Sequence, residues 1–163
     1  MTRVVPTSAT ALRAGLLTGV VDGLFASVLS AVFYGSTAAR PFQGVAGTLL
    51  GPGAITGGAR TALIGVLMHF GVALGWSAVF VGLVRASPAL GRRLAARGGV
   101  LAVAAAYGPA IWLAMSLAVI PLLIRRPPAI DARWWVQLVG HFPFVGLPIV
   151  AAVAAAPRAA AEG

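Results

Sequence analysis

Apolar residues fall along the chain in four long runs, and arginine, proline and glycine gather in the segments between them. The runs extend from about Leu12 to Tyr34, Thr61 to Val84, Val100 to Ile124 and Trp134 to Ala156. Each exceeds the roughly 20 residues a helix needs to cross a hydrocarbon core. Lipid offers the backbone no hydrogen-bond partner, so a spanning segment must be a helix or belong to a closed barrel. Alternation in blocks of about ten residues, the mark of barrel strands, does not occur in the sequence. The pattern predicts an all-α membrane protein, a four-transmembrane-helix bundle forming one integral-membrane domain over residues 1–163. The first run has Arg3 and Arg13 ahead of it and small residues behind it, as a cleaved signal does. It is too long for one and Asp22 interrupts it, so a retained helix is expected.

The connections differ in character. Between the first two runs lies an apolar, glycine-rich stretch, RPFQGVAGTLLGPGAITGG. Pro41 suits the first turn of a short helix. Phe42, Val45, Leu49 and Leu50 would share one face of it, and Gly51-Pro52-Gly53 would end it. The segment is expected to be interfacial or re-entrant. Gly51-x-Gly53 and Gly57-Gly58 lack both a preceding strand and a following Lys-Ser/Thr, which excludes phosphate-loop readings. In the last connection, IRRPPAIDARWW, Pro127-Pro128 blocks helix continuation and Asp131 can cap the fourth helix. Trp134 and Trp135 are placed for an aromatic belt.

Composition sharpens this picture. Hydrophobic residues make up 60% of the chain and charged residues 9%, against about 25% charged in a soluble domain. All twelve basic residues are arginine and only three acids oppose them, for a net charge of +9. The arginines stand in short segments between apolar runs, where they meet headgroups and set topology rather than bind nucleic acid. Seven of them (Arg3, Arg13, Arg85, Arg92, Arg93, Arg97, Arg158) fall on one side of the predicted membrane and five (Arg40, Arg60, Arg125, Arg126, Arg133) on the other. Both termini and the middle connection are therefore expected in the cytoplasm. Abundant Ala, Gly, Pro and Arg without Lys suits a GC-rich bacterial genome and, with it, the bacterial inner membrane. There is no cysteine, which excludes disulfides, thiolate catalysis and cysteine-ligated metals.

Small residues at four-residue spacing predict close helix packing. Gly15, Gly19 and Gly23 form such a ridge on the first helix, Gly71 and Gly75 on the second, and Ala102, Ala106, Ala110, Ala114 and Ala118 on the third. These ridges are assigned to packing within the bundle, and any left over would serve a homodimer. Pro109, Pro121, Pro143 and Pro148 interrupt the last two spans, and the fourth helix, with two prolines after His141, is expected to kink.

Few intramembrane residues carry chemistry: Asp22, His69 and His141, with Tyr107 and Gln137 near them in type. Charge at mid-bilayer is costly, so such residues face the bundle interior and often mark function. His69 lies about 13 Å along its helix from Arg60, His141 about 12 Å from Arg133, and Asp22 about 18 Å from Tyr34. Three helices therefore bring three polar residues to similar depth, with Gln137 one turn from His141. The alternatives for this cluster are proton, ion or small-solute handling, haem b held by His69 and His141, a metal site with a single carboxylate, or hydrogen bonds that tie helices together. No nucleophile elbow, HExxH motif or carboxylate pair points to an enzyme. Four short motifs, GVVDG, TLLGPGAITGG, GVLMHFGVALG and GHFPFVGLPI, resemble those of a widespread group of bacterial inner-membrane proteins of four helices, distantly YagU-like. The resemblance implies that Asp22, the glycine-rich loop, His69 and His141 belong to a shared pattern, and hints at acid tolerance. The leading expectation is a small proton-linked transport protein; the rival is an accessory subunit of a larger membrane complex.

Overall fold

The computed structural model describes residues 2–4, 6–156 and 158–160. Helix α1 spans Ser8–Phe33, α2 Arg40–Leu50, α3 Gly58–Ala86, α4 Pro88–Ala95, α5 Gly99–Ile124 and α6 Ala132–Ala154. Four of them, α1, α3, α5 and α6, are long and apolar enough to cross a membrane, so the chain is an all-helical, multi-pass membrane bundle. Its outer surface is apolar: Val32, Leu67, Leu122 and Val139 are each about two-thirds or more exposed, as suits residues solvated by lipid rather than water. Near the chain ends, Thr2–Val4 pairs antiparallel with Arg158–Ala160.

The helices start where local chemistry supplies a partner for their free N–H groups. At α1, Thr7 and Thr10 form a reciprocal capping box. Ser87 caps α4 through Leu90 N at 3.2 Å, and Asp131 caps α6 through Trp134 N at 2.9 Å. Gly51, at φ 82°, ends α2, and Arg125, left-handed at φ 52°, ends α5 ahead of Pro127-Pro128. Three wide turns interrupt the long helices, each with an N–H reaching five residues back: Tyr34 to Leu29, Ile120 to Met115 and Leu147 to Phe142. The second precedes Pro121. The third lies between His141 and Pro148 and contains Pro143, so the helical irregularity sits on the segment where the prolines require it.

Packing runs α3–α1–α6–α5, with α2 laid against α3 and α4 against α5. The seam between α5 and α3 is the weak one. At the end of the bundle carrying α4, Phe80, Val84, Ile149, Val150 and Val153 form a core with almost no exposure. The end carrying α2 is not filled in this way.

The small-residue ridges are only partly where the sequence puts them. A Cβ built on Gly15 would lie 2.7 Å from Leu74 Cα, and one on Gly19 would lie 2.6 Å from the Phe70 ring. Both glycines are thus at the α1–α3 contact. Gly71 and Gly75, by contrast, have nothing within 4 Å and are exposed. They do not pack inside the bundle, because α3 presents Phe70, Leu74 and Ser77 inward instead. Ala102, Ala106 and Ala110 are likewise exposed. The close face of α5 is offset by two residues, at Ala104 and Gly108, where Gly108 meets the His141 carbonyl and Gly146. On α2, Gln43 and Ala46 are the buried positions while Leu49 and Leu50 are exposed. Of the predicted apolar face, Phe42 and Val45 are half-buried and Leu49 and Leu50 stand outside the packing. Gln43 is held by a bond from its Nε2 to Gly58 O (3.1 Å). Trp134 is buried, its Nε1 donating to Ser116 Oγ at 3.1 Å; Trp135 is exposed.

Candidate functional site

A cavity of about 900 Å³ occupies the end of the bundle that carries α2. Thr18 and Asp22 of α1, His69 of α3, and Gln137 and His141 of α6 all line it. The predicted cluster does converge, and for a simple reason of length. Asp22 lies eleven residues from the nearer end of α1, His69 eleven from the start of α3 and His141 nine from the start of α6, or about 14–17 Å of helix in each case. The remaining walls are apolar. Phe42 and Val45 come from α2, Val72 and Trp76 from α3, and Trp112 and Val119 from α5. Leu49 and Arg126, both exposed, mark where the cavity reaches the surface.

The two imidazoles are oriented by backbone carbonyls. His69 Nε2 is 3.1 Å from Gly19 O, and His141 Nδ1 is 2.7 Å from Gln137 O. A carbonyl only accepts, so the proton sits on Nε2 of His69 and on Nδ1 of His141. Among the described residues this leaves Nδ1 of His69 and Nε2 of His141 as the unbonded ring nitrogens. Asp22 Oδ2 is 3.9 Å from His69 Nε2. That distance is too long for a hydrogen bond and close enough for an ion pair once the ring is charged. His141 lines the same cavity as Asp22. The approach of α1 to α3 that permits the His69–Gly19 bond depends on the glycine ridge. Gly23 leaves His69 Nε2 only 3.5 Å from where its own Cβ would be.

Several polar atoms on the cavity wall lack partners among the described residues. Thr18 Oγ1, Trp112 Nε1 and Gln137 Oε1 are buried with no hydrogen bond, and all three residues line the cavity. Buried groups left unpaired cost about 1–3 kcal/mol each, so a polar occupant has partners waiting. The geometry does not favour bis-histidine haem. His69 commits its Nε2 to Gly19, and the Trp112 ring packs against the His141 ring with centroids 4.8 Å apart. Phe42 and Phe70 flank the His69 ring at 5.6 and 5.9 Å. Among the described residues there is no group of three or more His, Asp or Glu placed to hold a metal ion.

Trp112 is the site residue that the sequence reading missed. It stands in an apolar run with nothing in the pattern to show which way it faces, and only the α5–α6 crossing turns it onto His141. Arg126 was legible only as a loop arginine. Tyr107, grouped with the polar residues by type, is not on the cavity wall. Its hydroxyl donates to Trp76 O at 2.7 Å and its ring packs on Phe80 at 4.6 Å, joining α5 to α3 beneath the cavity. No family model, curated protein or solved structure matches this chain.

Proposed function

We propose that this membrane protein links proton exchange at Asp22, His69 and His141 to the binding and movement of a small solute in the cavity. One observation carries the reading: the sole acidic residue of the spans and both histidines of the chain share one cavity large enough for a small molecule. A purely structural tie would be expected to satisfy these groups against one another. Here Asp22 instead stands off from His69, and Gln137 Oε1 and Thr18 Oγ1 are unpaired. Residues that exchange protons beside a solute need this incomplete pairing, because a fully bonded carboxylate has nothing to offer a ligand. The resemblance to YagU-like proteins singles out the same residues, and a part in tolerating acid would suit a proton-linked site in a bacterial inner membrane.

The test is proton movement in vesicles. Proteoliposomes loaded with a pH-sensitive dye are given outward gradients of short amines, alcohols and carboxylates in turn, with empty vesicles as the baseline. At least one class is expected to drive proton flow above the baseline, and Asp22→Asn is expected to abolish it. A panel indistinguishable from empty vesicles, or flow that persists in Asp22→Asn, overturns the proposal.

The rival reading, an accessory subunit or homodimer, draws on the outward-facing Gly71 and Gly75 of α3 and Ala102, Ala106 and Ala110 of α5, since small residues in lipid admit a second helix closely. A stoichiometric partner retained in mild detergent would favour it. A monodisperse monomer would remove it.

A further inference from the structure

We infer that the solute is a lipophilic ammonium, an amine bearing N–H on an apolar body, and that it enters sideways from the bilayer between α3 and α5. This rests on the proton-linked reading of the same cavity and names the chemical class that the cavity fits.

The polar end of the cavity is dominated by acceptors. Asp22 contributes a carboxylate that stands 3.9 Å from His69 Nε2, beyond hydrogen-bond reach, and Gln137 Oε1 is a buried acceptor without a partner among the described residues. Trp112 Nε1 is an unpaired buried donor on this wall, and the unpaired Thr18 hydroxyl can either donate or accept. An ammonium supplies what these oxygens lack, and charge-assisted N–H bonds to a carboxylate are about twice as strong as neutral ones. Phe42, Trp76 and Trp112 line the same cavity, and aromatic rings attract a desolvated cation placed over their faces. The apolar walls accept the rest of the molecule, and the volume lies within the range of small-molecule sites. A carboxylate ligand fits worse. It would set a second negative charge beside Asp22, and the one arginine on the cavity, Arg126, is at its exposed mouth.

The same arginine argues for the route. A cation approaching beside Arg126 meets a like charge, whereas the seam between α3 and α5 carries none and its cavity residues Val72 and Val119 are exposed. Those helices are joined at Tyr107, through its bond to Trp76 O. Beyond that brace the Ile120–Ile124 end of α5 packs on α2 rather than on α3. Val72 of α3 and Val119 of α5 face the cavity on either side of this seam. The charged and titratable groups lining the cavity with Asp22 are His69, His141 and Arg126. A proton on Asp22 or a charge on either histidine competes with the ammonium for the carboxylate, so ammonium affinity should rise with pH until the amine itself deprotonates.

The experiment uses the full chain in nanodiscs and three probes of one shape: naphthylmethylammonium, naphthylmethanol and naphthoate. Isothermal titration, with empty nanodiscs as the baseline, reports binding. The ammonium is expected to bind at least about tenfold more tightly than the alcohol at neutral pH, and the naphthoate more weakly than either. Asp22→Asn should bring the ammonium-to-alcohol ratio to about one while alcohol binding holds, which also shows that the variant is folded. Alcohol or naphthoate binding as tight as the ammonium, or a preference surviving in Asp22→Asn, overturns the assignment. If no probe binds at millimolar concentration while the vesicle experiment still shows Asp22-dependent proton flow, the ammonium class is wrong and the proton-linked reading stands; if both fail, both fall. Val119→Trp should slow ammonium association and Arg126→Gln leave it unchanged. The reverse pattern places entry at the mouth and overturns the lateral route.

Discussion

Gly15 and Gly75 illustrate how much a residue's meaning depends on what faces it. Both sit in four-residue glycine patterns within apolar runs. A side chain on Gly15 would meet the backbone of Leu74, while one on Gly75 would meet open space. Gly15→Val is therefore expected to destabilise the protein by about 1–3 kcal/mol, the range for overpacking a close contact. Gly75→Val should change stability by less than about 0.5 kcal/mol. Thermal unfolding in one mild detergent checks both, and a Gly75 variant as damaged as the Gly15 variant would mean that α3 packs on a second copy through this face. Gly19 falls between them. Its obstacle is the Phe70 ring, which can rotate, so Gly19→Ala should be better tolerated than Gly15→Ala, and Gly19→Leu should be disruptive because it would push α3 away and break the bond that His69 Nε2 donates to the Gly19 carbonyl.

At the scale of the helices, the crossings decide where the polar side chains point. Gly108 and Gly146 let α5 and α6 touch backbone to backbone beside the His141 carbonyl. Gly108→Leu should force the helices apart and carry Trp112 away from His141, seen as a change in tryptophan emission and loss of the proton coupling. The Tyr107–Trp76 brace makes the complementary prediction. Tyr107→Phe removes one interhelical hydrogen bond, worth about 0.6–1.7 kcal/mol in membrane helices, and keeps the ring against Phe80. It should lower the melting temperature modestly and speed ammonium association by loosening the α3–α5 seam. Unchanged association with a lowered melting temperature would show that the brace does not govern access.

Taken whole, the bundle is packed at the α4 end and hollow at the α2 end. Four spans return the chain to the side it started from, and the pairing of Thr2–Val4 with Arg158–Ala160 brings the two end segments together. With the arginine count this predicts that both ends face the cytoplasm. Reporters fused at Met1 and at Gly163 should both report the cytoplasmic side; activity of either only in the periplasm would invert the topology and put the cavity mouth on the cytoplasmic face.

The sequence by itself determined the four spans, their limits to within a few residues, the helix after Pro41, the Asp131 cap and the common depth of Asp22, His69 and His141. Each of these follows from one-dimensional quantities: the thickness of a bilayer, the rise of a helix and the identity of a capping side chain. Tertiary structure alone decided which of two glycine ridges is buried, and that α5 packs by Ala104 and Gly108 rather than by the alanines two positions away. It also turned Trp134 inward onto Ser116 and Trp112 onto His141, and left a cavity between α3 and α5. In a chain apolar on every face, the hydrophobic pattern that reports rotation in a soluble helix is flat. The rotation of each helix is then set by which small residues let two backbones meet, and that is a property of pairs of helices that no single stretch of sequence contains.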